Sequence, residues 1–307
     1  MIHTLNLTRL LEPDDPWISI YQDLSTHKAT YGIKLFPPHE AVFKDGRYYP
    51  PLAVLHVDFL KVVSTFDPGI FDVPCGYFPI IKDRVNKYLG IVGSSVDDFK
   101  VSRIDYAQSV VIDDKDDRFS LIDTLQLART RGCYATRTDT YETSIYAKNN
   151  SKALQVYDKA HERKDKDFYI ASYEDNVIRA EIQLKSGHLR YKEKKGVPRE
   201  WDMWVNVNRY HEYIKQLTTF IYRDDFYSLN MAKLRVELSD LKDSMKNKLI
   251  RFLTVISEHG ADAMDTVAKS YNTRKRYVEL LASLGINPLT IPDDCYVDFI
   301  KMPFTFA

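Results

Sequence analysis

Polar and charged side chains alternate with apolar ones in four strand-like segments of this chain. In "LQVYDK" the alternation places Tyr157 and Lys159 on one face, and in "VSRIDYA" it places Arg103 and Asp105 on one face, because successive side chains of a strand point to opposite sides. The chain has 21 tyrosines, so the neighbours of Tyr157 matter more than its type. The chemistry to consider is attack by its hydroxyl group on a phosphate.

Two further segments contribute carboxylates. "YETSIYA" carries Glu142, and "IRAEIQLK" carries Arg179 and Glu181 on a common face. If the turn "KNNS" closes a hairpin through an even-numbered loop, the register places Glu142 opposite Tyr157, about 5 Å apart at Cβ. With Asp105 on a nearby strand, these carboxylates predict a site for a hard cation, Mg²⁺ or Mn²⁺ rather than zinc.

Such a site predicts metal-assisted phosphoryl transfer. A divalent ion would polarise a phosphate while Tyr157 attacks phosphorus. The charge on the phosphoryl oxygens would be neutralised by Arg103, Lys159 and Arg179. The alternative is structural, because antiparallel strands commonly keep one polar face toward solvent, and the spacing alone does not name a reaction.

Composition excludes several other classes. Lys plus Arg equals Asp plus Glu, at 43 each in 307 residues, so any basic surface must be local. Three cysteines without CxxC spacing argue against a disulfide framework and favour a reducing compartment. No apolar run approaches the roughly 18 to 20 residues that span a bilayer, and we expect no signal peptide. The sequence therefore predicts a cytoplasmic protein with no membrane partner.

Strand patterns dominate the first two-thirds of the chain and helical patterns the rest. Alternation predicts strands in "IHTLNL", "LAVLHVDFL", "FKVSRIDYAQSVVI" and "NVIRAEIQL", and Asp45-Gly46 in "FKDGRYY" predicts a hairpin. Helical spacing is found in "PIIKDRVNKYLGIV", "RFSLIDTLQLART" and a long segment ending at Gly260. "HERKDKD" is typical of a loop, and "CYVDFIKMPF" of a late strand. We place a boundary near residue 200, with an α+β domain around an antiparallel sheet in 1–200 and a mainly helical region in 201–307.

In this order the segments resemble the gene-two replication proteins of filamentous phages and their plasmid relatives. Those proteins are rolling-circle initiators related to the HUH-type endonucleases and the Rep_trans initiators. The resemblance is carried by "MIHTLNLTRL", "VSRID", "YETSIYAKNNSKALQVYDKAHE", "IRAEIQLKSGHL", the late helices and "CYVDFIKMPF". It implies an HUH-like nuclease domain that nicks one strand of a replication origin, stays attached to the 5′ phosphate through a tyrosine, and later rejoins the displaced strand.

The resemblance also implies roles for individual residues. Tyr157, in the strand that matches "LQVYDKAHE", would carry the covalent link. The acidic positions of the family, which would bind Mg²⁺ or Mn²⁺, are matched by Asp105, Glu142 and Glu181. Its basic positions are matched by Arg103, Lys159 and Arg179. Because the phosphotyrosine conserves the bond energy for rejoining, no nucleotide cofactor is required. No Walker-type GxxxxGK[ST] motif is present, so a host or partner helicase in the bacterial cell would separate the strands.

The His-hydrophobic-His metal motif of better-known relatives is absent from this sequence. The nearest string is His56-Val57-Asp58 in "LAVLHVDFL". His56 and Asp58 are therefore possible metal ligands. The alternative is that His56 lies on a partly exposed strand face without a ligand.

A basic turn near the C-terminus is a candidate DNA contact. "DTVAKSYNTRKRYVELLASLGI" predicts a helix-turn-helix-like segment with Thr273 as N-cap and Gly285 as the stop. Arg274, Lys275 and Arg276 crowd the first turn, where cations oppose the helix dipole. Contact with origin DNA, duplex or single-stranded, would explain that cost, and a solvated basic turn is the alternative.

Two other functions are compatible with the same scaffold. A non-catalytic DNA-binding regulator would have no need for a tyrosine together with three carboxylates. A mobilisation relaxase would act at a transfer origin by the same chemistry as a replication initiator. The sequence does not separate these two nicking enzymes.

Overall fold

The computed structural model describes residues 1–11, 18–19, 31–39, 42–128, 137–165 and 174–305. Its strands are β1 (Ile2–Leu10), β2 (Ile33–His39), β3 (Val42–Lys44), β4 (Arg47–Tyr49), β5 (Leu52–Asp58), β6 (Lys100–Val111), β7 (Arg137–Tyr141), β8 (Ser144–Lys148), β9 (Lys152–Asp158), β10 (Val177–Leu184), β11 (Phe226–Tyr227) and β12 (Phe299–Ile300). Its α-helices are α1 (Phe59–Ser64), α2 (Phe78–Gly90), α3 (Lys115–Gln126), α4 (Lys159–Asp165), α5 (Ser186–Lys194), α6 (Trp201–Trp204), α7 (Val207–Ile214), α8 (Thr218–Ile221), α9 (Leu229–Glu237), α10 (Asp243–His259), α11 (Met264–Val267) and α12 (Tyr271–Ser283).

The fold is α+β with a large antiparallel sheet, as the sequence predicts. Eight strands are hydrogen-bonded in the order β2-β5-β1-β6-β10-β9-β8-β7. Two small ribbons, β3-β4 and β11-β12, are separate from this sheet. The late strand predicted in "CYVDFIKMPF" is present as the two residues of β12.

The chain divides into two compact units. Unit 1 comprises Met1–Ala107, Asn150–Lys152 and Ile182–Tyr213, and unit 2 comprises Gln108–Asn149, Ala153–Glu181 and Ile214–Ala307. Each unit draws on residues from both sides of residue 200. The functional boundary placed there from the sequence stays a prediction.

In unit 1, alternation along the strands produces the core. Ala53, Leu55 and Val57 of β5 and Leu5 and Leu7 of β1 are completely buried. Burial of each large apolar side chain contributes about 1.5–3 kcal/mol. Because alternate side chains point to opposite faces, the residues between these positions form the second, more polar face of β1 and β5.

Aromatic side chains attach helices to the unit 1 core. The ring of Phe59 stacks on Trp201 at 5.8 Å between centroids. Tyr106 is fully buried, stacks on Tyr213 at 5.5 Å and donates its hydroxyl hydrogen to the carbonyl of Trp204 at 2.7 Å. These contacts satisfy the polar atom of a buried ring and fix α6 and α7 against β6.

In unit 2 the segment predicted as one long helix is two helices. α9 ends at Glu237, and α10 runs from Asp243 to His259. Gly260 follows with φ +75° and donates its N–H to the carbonyl of Ile256, which is the stop that the sequence predicts. The helical periodicity continues through residues 238–242, so nothing in the pattern indicates the break.

The loop predicted for "HERKDKD" is wrong over its described part. Residues up to Asp165 belong to α4, and residues 166–167 lie outside the described part of the chain. The Asp158 side chain accepts the His161 N–H at 3.1 Å, and Lys159 pairs with Glu162 at 2.6 Å. The capping carboxylate of Asp158 and the ion pair between Lys159 and Glu162, three residues apart, stabilise this helix. The charged composition of the segment does not by itself predict a helix.

The hairpin predicted at Asp45-Gly46 is confirmed. These residues join β3 to β4 with φ values of +53° and +71°. Positive φ at both central positions is the requirement of a type I′ turn, and Asp-Gly meets it at little cost.

Gly32 occupies a position that no other residue fits. Its φ is +85°, and its carbonyl accepts the N–H of Asp58 at 2.8 Å. A Cβ atom there would lie 2.7 Å from the Cβ of Lys61 and 2.8 Å from the carbonyl oxygen of Asp58. The glycine therefore sets how closely the chain entering β2 approaches the start of α1.

Gly32→Ala should lower the free energy of unfolding by about 2 to 5 kcal/mol, combining left-handed backbone strain of about 1 to 2 with a forced contact of about 1 to 3. Gly69→Ala is the matched control, because Gly69 has φ +92° but nothing within 4 Å of its added Cβ. It should show the strain alone in urea denaturation. Equal losses for the two variants would contradict the close approach at Gly32.

Candidate active site

Most of the predicted catalytic and metal-binding residues lie in two clusters, one within each unit. Glu142 and the C-terminal basic residues lie outside both clusters. In unit 1, β1 pairs with β5 and with β6. Thr4 stands opposite both Asp58 and Asp105. Two residues further along β1, on the same face, Asn6 stands opposite both His56 and Arg103. Two rows of polar side chains therefore cross three strands of unit 1.

Asp105 is buried and fully engaged within its row. It is 1% exposed. It accepts a hydrogen bond from the Thr4 hydroxyl at 2.5 Å, and Arg103 donates Nε to Oδ1 at 3.0 Å and Nη2 to Oδ2 at 2.6 Å. This two-point contact confirms that Arg103 and Asp105 share a face. A bidentate arginine occupies the oxygens that a metal ion would need.

His56 and Asp58 are held by local contacts. Asp58 caps α1, accepting the Lys61 N–H at 3.1 Å. Burial opposes its ionisation, but the charges of His3 and Lys61 and the capping N–H bring the pKa of Asp58 below its ordinary value. Burial, rather than any partner, is the main cause of the lowered pKa of His56. Its Nδ1 lies 2.7 Å from the Asn6 side-chain oxygen, so a neutral ring donating from Nδ1 presents Nε2 as an acceptor.

In unit 2, Tyr157 is buried against Glu181. Its side chain is 3% exposed, and its hydroxyl donates to Glu181 Oε1 at 2.7 Å. Arg179 and Lys159 are each 3% exposed. The Nζ atom of Lys159 lies 5.6 Å from the centroid of the tyrosine ring. The sequence predicted one site in which Tyr157 converges with Asp105, Glu142 and Glu181. The structure brings Glu181, Arg179 and Lys159 to Tyr157, whereas Asp105 belongs to the unit 1 cluster.

Two further hydrogen bonds hold Arg179 and Lys159, the cations of this cluster, in place. Arg179 Nε donates to the Ser109 hydroxyl at 2.8 Å, and Lys159 Nζ donates to Glu162 at 2.6 Å. Neither Ser109 nor Glu162 was selected from the sequence. Ser109 lies within a continuous strand pattern and Glu162 in a segment predicted as loop, so only the packing identifies them.

Electrostatics keep Tyr157 protonated in this arrangement. Burial, and next the charge of Glu181, raise the pKa of Tyr157 well above the ordinary value of a phenol, against a smaller opposing effect of Arg179. Burial and Arg179 lower the pKa of Lys159. A protonated phenol donating to a carboxylate is a poor nucleophile, but the carboxylate is placed to receive its proton.

The predicted pairing of Glu142 with Tyr157 is wrong. Ser144 stands opposite Tyr157, and Lys148 stands opposite Ala153. The loop of the hairpin is even, as predicted, but it comprises the four residues 149–152. The register therefore differs from the predicted one by two residues, which does not exchange the faces.

Glu142 lies in the two-residue turn between β7 and β8 and is exposed. The predicted strand "YETSIYA" is therefore interrupted at this turn. The negative charge of Glu142 instead reaches Asp123, whose pKa is raised by burial and then by Asp294 and Glu142.

The predicted metal ligands do not fit a resident ion in this arrangement. Among the described residues, no three His, Cys, Asp or Glu side chains group as metal ligands would. Asp105 is engaged by Arg103, Glu181 accepts from Tyr157, and Glu142 lies in an exposed turn. Binding of Mg²⁺ or Mn²⁺ by these side chains stays a prediction.

The C-terminal basic segment begins earlier than predicted. Ser270, not Thr273, caps α12, accepting the Thr273 N–H at 3.0 Å. The preceding helix α11 is a single turn. Gly285 follows α12 with φ +68°, and the N–H of Ile286 returns to the carbonyl of Leu281, which is the predicted stop.

The three basic residues of α12 differ in environment. Arg274 is 17% exposed, donates to the carbonyls of Ala268 and Lys269 at 3.0 Å, and pairs with Asp265 at 2.7 Å. Lys275 and Arg276 are exposed. Arg274 therefore holds the turn before α12, and the other two present their charges to solvent.

Residues 91–204 match the model of a phage family described as the replication-associated protein of gene two, N-terminal part. Over this span the chain is similar to that family, and the match supports a role in phage DNA replication. It supports, more narrowly, a replication initiator of the filamentous-phage gene-two type, and so confirms the resemblance drawn from the sequence. No curated protein matches the chain.

The matched span contains most of the candidate catalytic residues and none of the C-terminal basic ones. It includes Arg103, Asp105, Glu142, Tyr157, Lys159, Arg179 and Glu181. It leaves out His56, Asp58 and Arg274, Lys275 and Arg276. Within the described residues, no helix has the length and apolar character needed to cross a membrane.

Arg274→Ala should destabilise the protein by about 1 to 3 kcal/mol, because it leaves two carbonyls without their charged donor. Arg276→Ala removes the same charge from an exposed position and should change stability by less than about 0.5 kcal/mol. Urea denaturation of the two variants measures the difference. Equal stabilities would show that the Arg274 contacts contribute nothing to folding.

Proposed function

We propose that this initiator is a site-specific single-strand DNA endonuclease and strand ligase that starts and ends rolling-circle replication through a covalent 5′-phosphotyrosine. The observation that carries the proposal is the 2.7 Å hydrogen bond from Tyr157 to Glu181, inside the span that matches the family. A nucleophile in contact with a base, with cations beside both, is the arrangement that phosphoryl transfer requires.

In the nicking step, the Tyr157 oxygen forms a bond to the scissile phosphorus and the bond from phosphorus to the 3′ oxygen breaks. Glu181 accepts the phenolic proton, and the departing 3′ oxygen takes up a proton from water and leaves as a hydroxyl group. Arg179 and Lys159 stabilise the charge on the phosphoryl oxygens. Rejoining is the reverse, with the 3′ hydroxyl of the displaced strand as the attacking group.

This chemistry requires a movement of the resting site. Tyr157 is 3% exposed, so a phosphate in solution has no access to its oxygen. Lys159 lies over the ring and pairs with Glu162 at the start of α4. We infer that a DNA phosphate draws Lys159 away from Glu162 and so opens the path to the hydroxyl.

Several other assignments belong to the same proposal. The sheet would have the HUH-like arrangement of a nicking domain, and α12 with its preceding turn would act as the helix-turn-helix-like segment. Lys275 and Arg276 would contact phosphates of origin duplex, with Arg274 fixing the turn. A host helicase would separate the strands, and the joining step would use no nucleotide cofactor. Because no three His, Cys, Asp or Glu side chains group together as metal ligands in the described part of the resting protein, Mg²⁺ or Mn²⁺ would bind only in the complex with DNA, with His56 and Asp58 among its ligands.

One observation favours a different function. The burial of Tyr157 and its raised pKa suit a DNA-binding regulator that keeps the scaffold without the chemistry. The two functions differ in one product, the covalent adduct between protein and DNA. A mobilisation relaxase would form the same adduct at a transfer origin instead of a replication origin.

Tyr157→Phe should fold and bind DNA as the native protein does but form no adduct with a 3′-labelled origin oligonucleotide, because only the attacking oxygen is lost. Tyr141→Phe and Tyr146→Phe are matched controls from the adjacent hairpin, and both should keep the adduct. Denaturing electrophoresis detects it. An adduct in Tyr157→Phe would assign the link to another tyrosine, and no adduct in the native protein would favour the regulator.

Glu181→Gln should slow nicking by about 10²- to 10⁴-fold, the usual contribution of a general base. The amide oxygen can still accept the tyrosine hydrogen bond, so the thermal midpoint should change little. Excess chelator should abolish nicking by the native protein if a divalent ion takes part. Full nicking in chelator would remove the metal from the proposal and leave the role of Glu181 as base intact.

A further inference from the structure

A basic groove in unit 1 is not accounted for by the catalytic cluster. It has a volume of about 610 Å³ and lies beside β1, β6 and the start of α5. The cations that line it are Arg9, Lys100, Arg103, Lys185, Arg190 and Arg199. Asp98 is the one carboxylate among its lining residues.

The positive excess is local, because the whole chain has no net charge. Asp98 approaches Arg9 at 4.0 Å. Two carboxylates that do not line the groove also pair with its cations: Glu193 with Lys100 at 3.3 Å and with Arg199 at 2.9 Å, and Asp105 with Arg103 at 2.6 Å. Six cations and one carboxylate line the groove. The carboxylates outside the groove neutralise only some of these cations. The groove therefore keeps an excess of positive charge that attracts an anion.

Arg190 contributes to that excess of positive charge from an exposed position. It is exposed on α5, and no carboxylate in the part of the chain that the structure describes pairs with it. Lys100 is 63% exposed in spite of its contact with Glu193. Both side chains can move onto a ligand at small cost, since exposed ion pairs contribute about 0–1 kcal/mol.

The groove also offers uncharged groups. Leu10 is 69% exposed and lines the groove together with Leu52. Asn6 and Ser102, from the adjacent strands β1 and β6, also line the groove. A positively charged groove that follows the backbone, with arginine guanidinium groups able to lie on bases, is part of the way in which proteins bind single strands with little sequence preference.

The size of the groove favours a single strand over a duplex as its ligand. A volume of about 610 Å³ is in the range of pockets that enclose a small organic group, so it accommodates a short run of nucleotides. Bases are free to lie on an apolar strip only when they are unpaired. Arg103 belongs both to the groove and to the row that contains Asp105, so the groove reaches the polar rows of the unit 1 strands.

We propose that this groove binds the phosphate backbone of single-stranded DNA. The inference rests on the proposed function and extends it, because it assigns the path of the unpaired strand to unit 1. Lys100 and Arg190 contact phosphates, and Leu10 contacts a base or sugar. The contacts are independent of sequence, since they are made to the backbone.

The test compares two double variants that each remove two positive charges. Lys100→Gln with Arg190→Gln changes the groove. Lys194→Gln with Lys195→Gln changes the exposed C-terminal end of α5, away from the groove. The probe is a fluorescein-labelled 12-nucleotide single strand without origin sequence, titrated by anisotropy over a range of salt concentrations. Circular dichroism verifies that both variants are folded.

The groove variant should lose about 1.4 from the slope of log affinity against log salt, at about 0.7 for each phosphate contact. If the affinities converge at 1 M salt, this slope corresponds to binding about 25-fold weaker at 0.1 M. The control variant should keep the native slope. Equal changes in both variants, or no change in either, would overturn the proposal.

A 12-base-pair duplex separates the two forms of DNA. The groove variant should bind it nearly as the native protein does, and an equal loss for duplex would contradict the assignment to single strands. The outcome does not depend on catalysis, because the probe has no origin sequence. A native adduct with unchanged binding by the groove variant would keep the proposed function and reject the groove. A smaller salt slope for the groove variant, together with no adduct in the native protein, would keep the groove and reject the proposed function.

Discussion

A buried phenol that shares a hydrogen bond with a buried carboxylate is the constraint on which the unit 2 cluster depends. Removing Tyr157 and Glu181 from water costs free energy unless each has a partner, and each is the partner of the other. The cations follow from the same requirement, because Arg179 and Lys159 offset the negative charge and are themselves held by Ser109 and Glu162. The resting protein thus keeps the Tyr157 hydroxyl group protonated and buried.

The unit 1 rows follow a different rule. There the strand register decides the arrangement, since β1 lies between two partners and presents Thr4 and Asn6 to both. Asp105 is satisfied by Thr4 and Arg103, which makes its row a rigid polar surface rather than an open coordination site. A metal ion could enter only by displacing Arg103 from Asp105, so any ion would compete directly with an arginine that also borders the basic groove.

Local chemistry was predictable from the sequence, and distances across the fold were not. Strand alternation correctly placed Arg103 with Asp105, and Asp45-Gly46 identified its turn, because both depend on neighbouring residues only. Glu142 was misplaced because the loop of the hairpin comprises residues 149–152, which shifts the register by two residues from the one that its turn residues indicate. Thr4 and Ser109 were not found, since nothing in a single sequence shows which strands will be neighbours. Thr273 was taken as a cap although Ser270, three residues earlier, has the same chemistry and the actual contact.

The position of β1 between β5 and β6 has a consequence for the order of folding during synthesis. The strand is made from residues 2–10, but its partners are residues 52–58 and 100–106. Because β1 leaves the ribosome before either partner, at most one of its two edges is paired until β6 has been made. Pairings so distant along the chain are slow to form, and through this interval the unpaired edge of β1 is exposed to other chains. Its completion by β6 closes that edge and brings Asp105 to Thr4 in a single event.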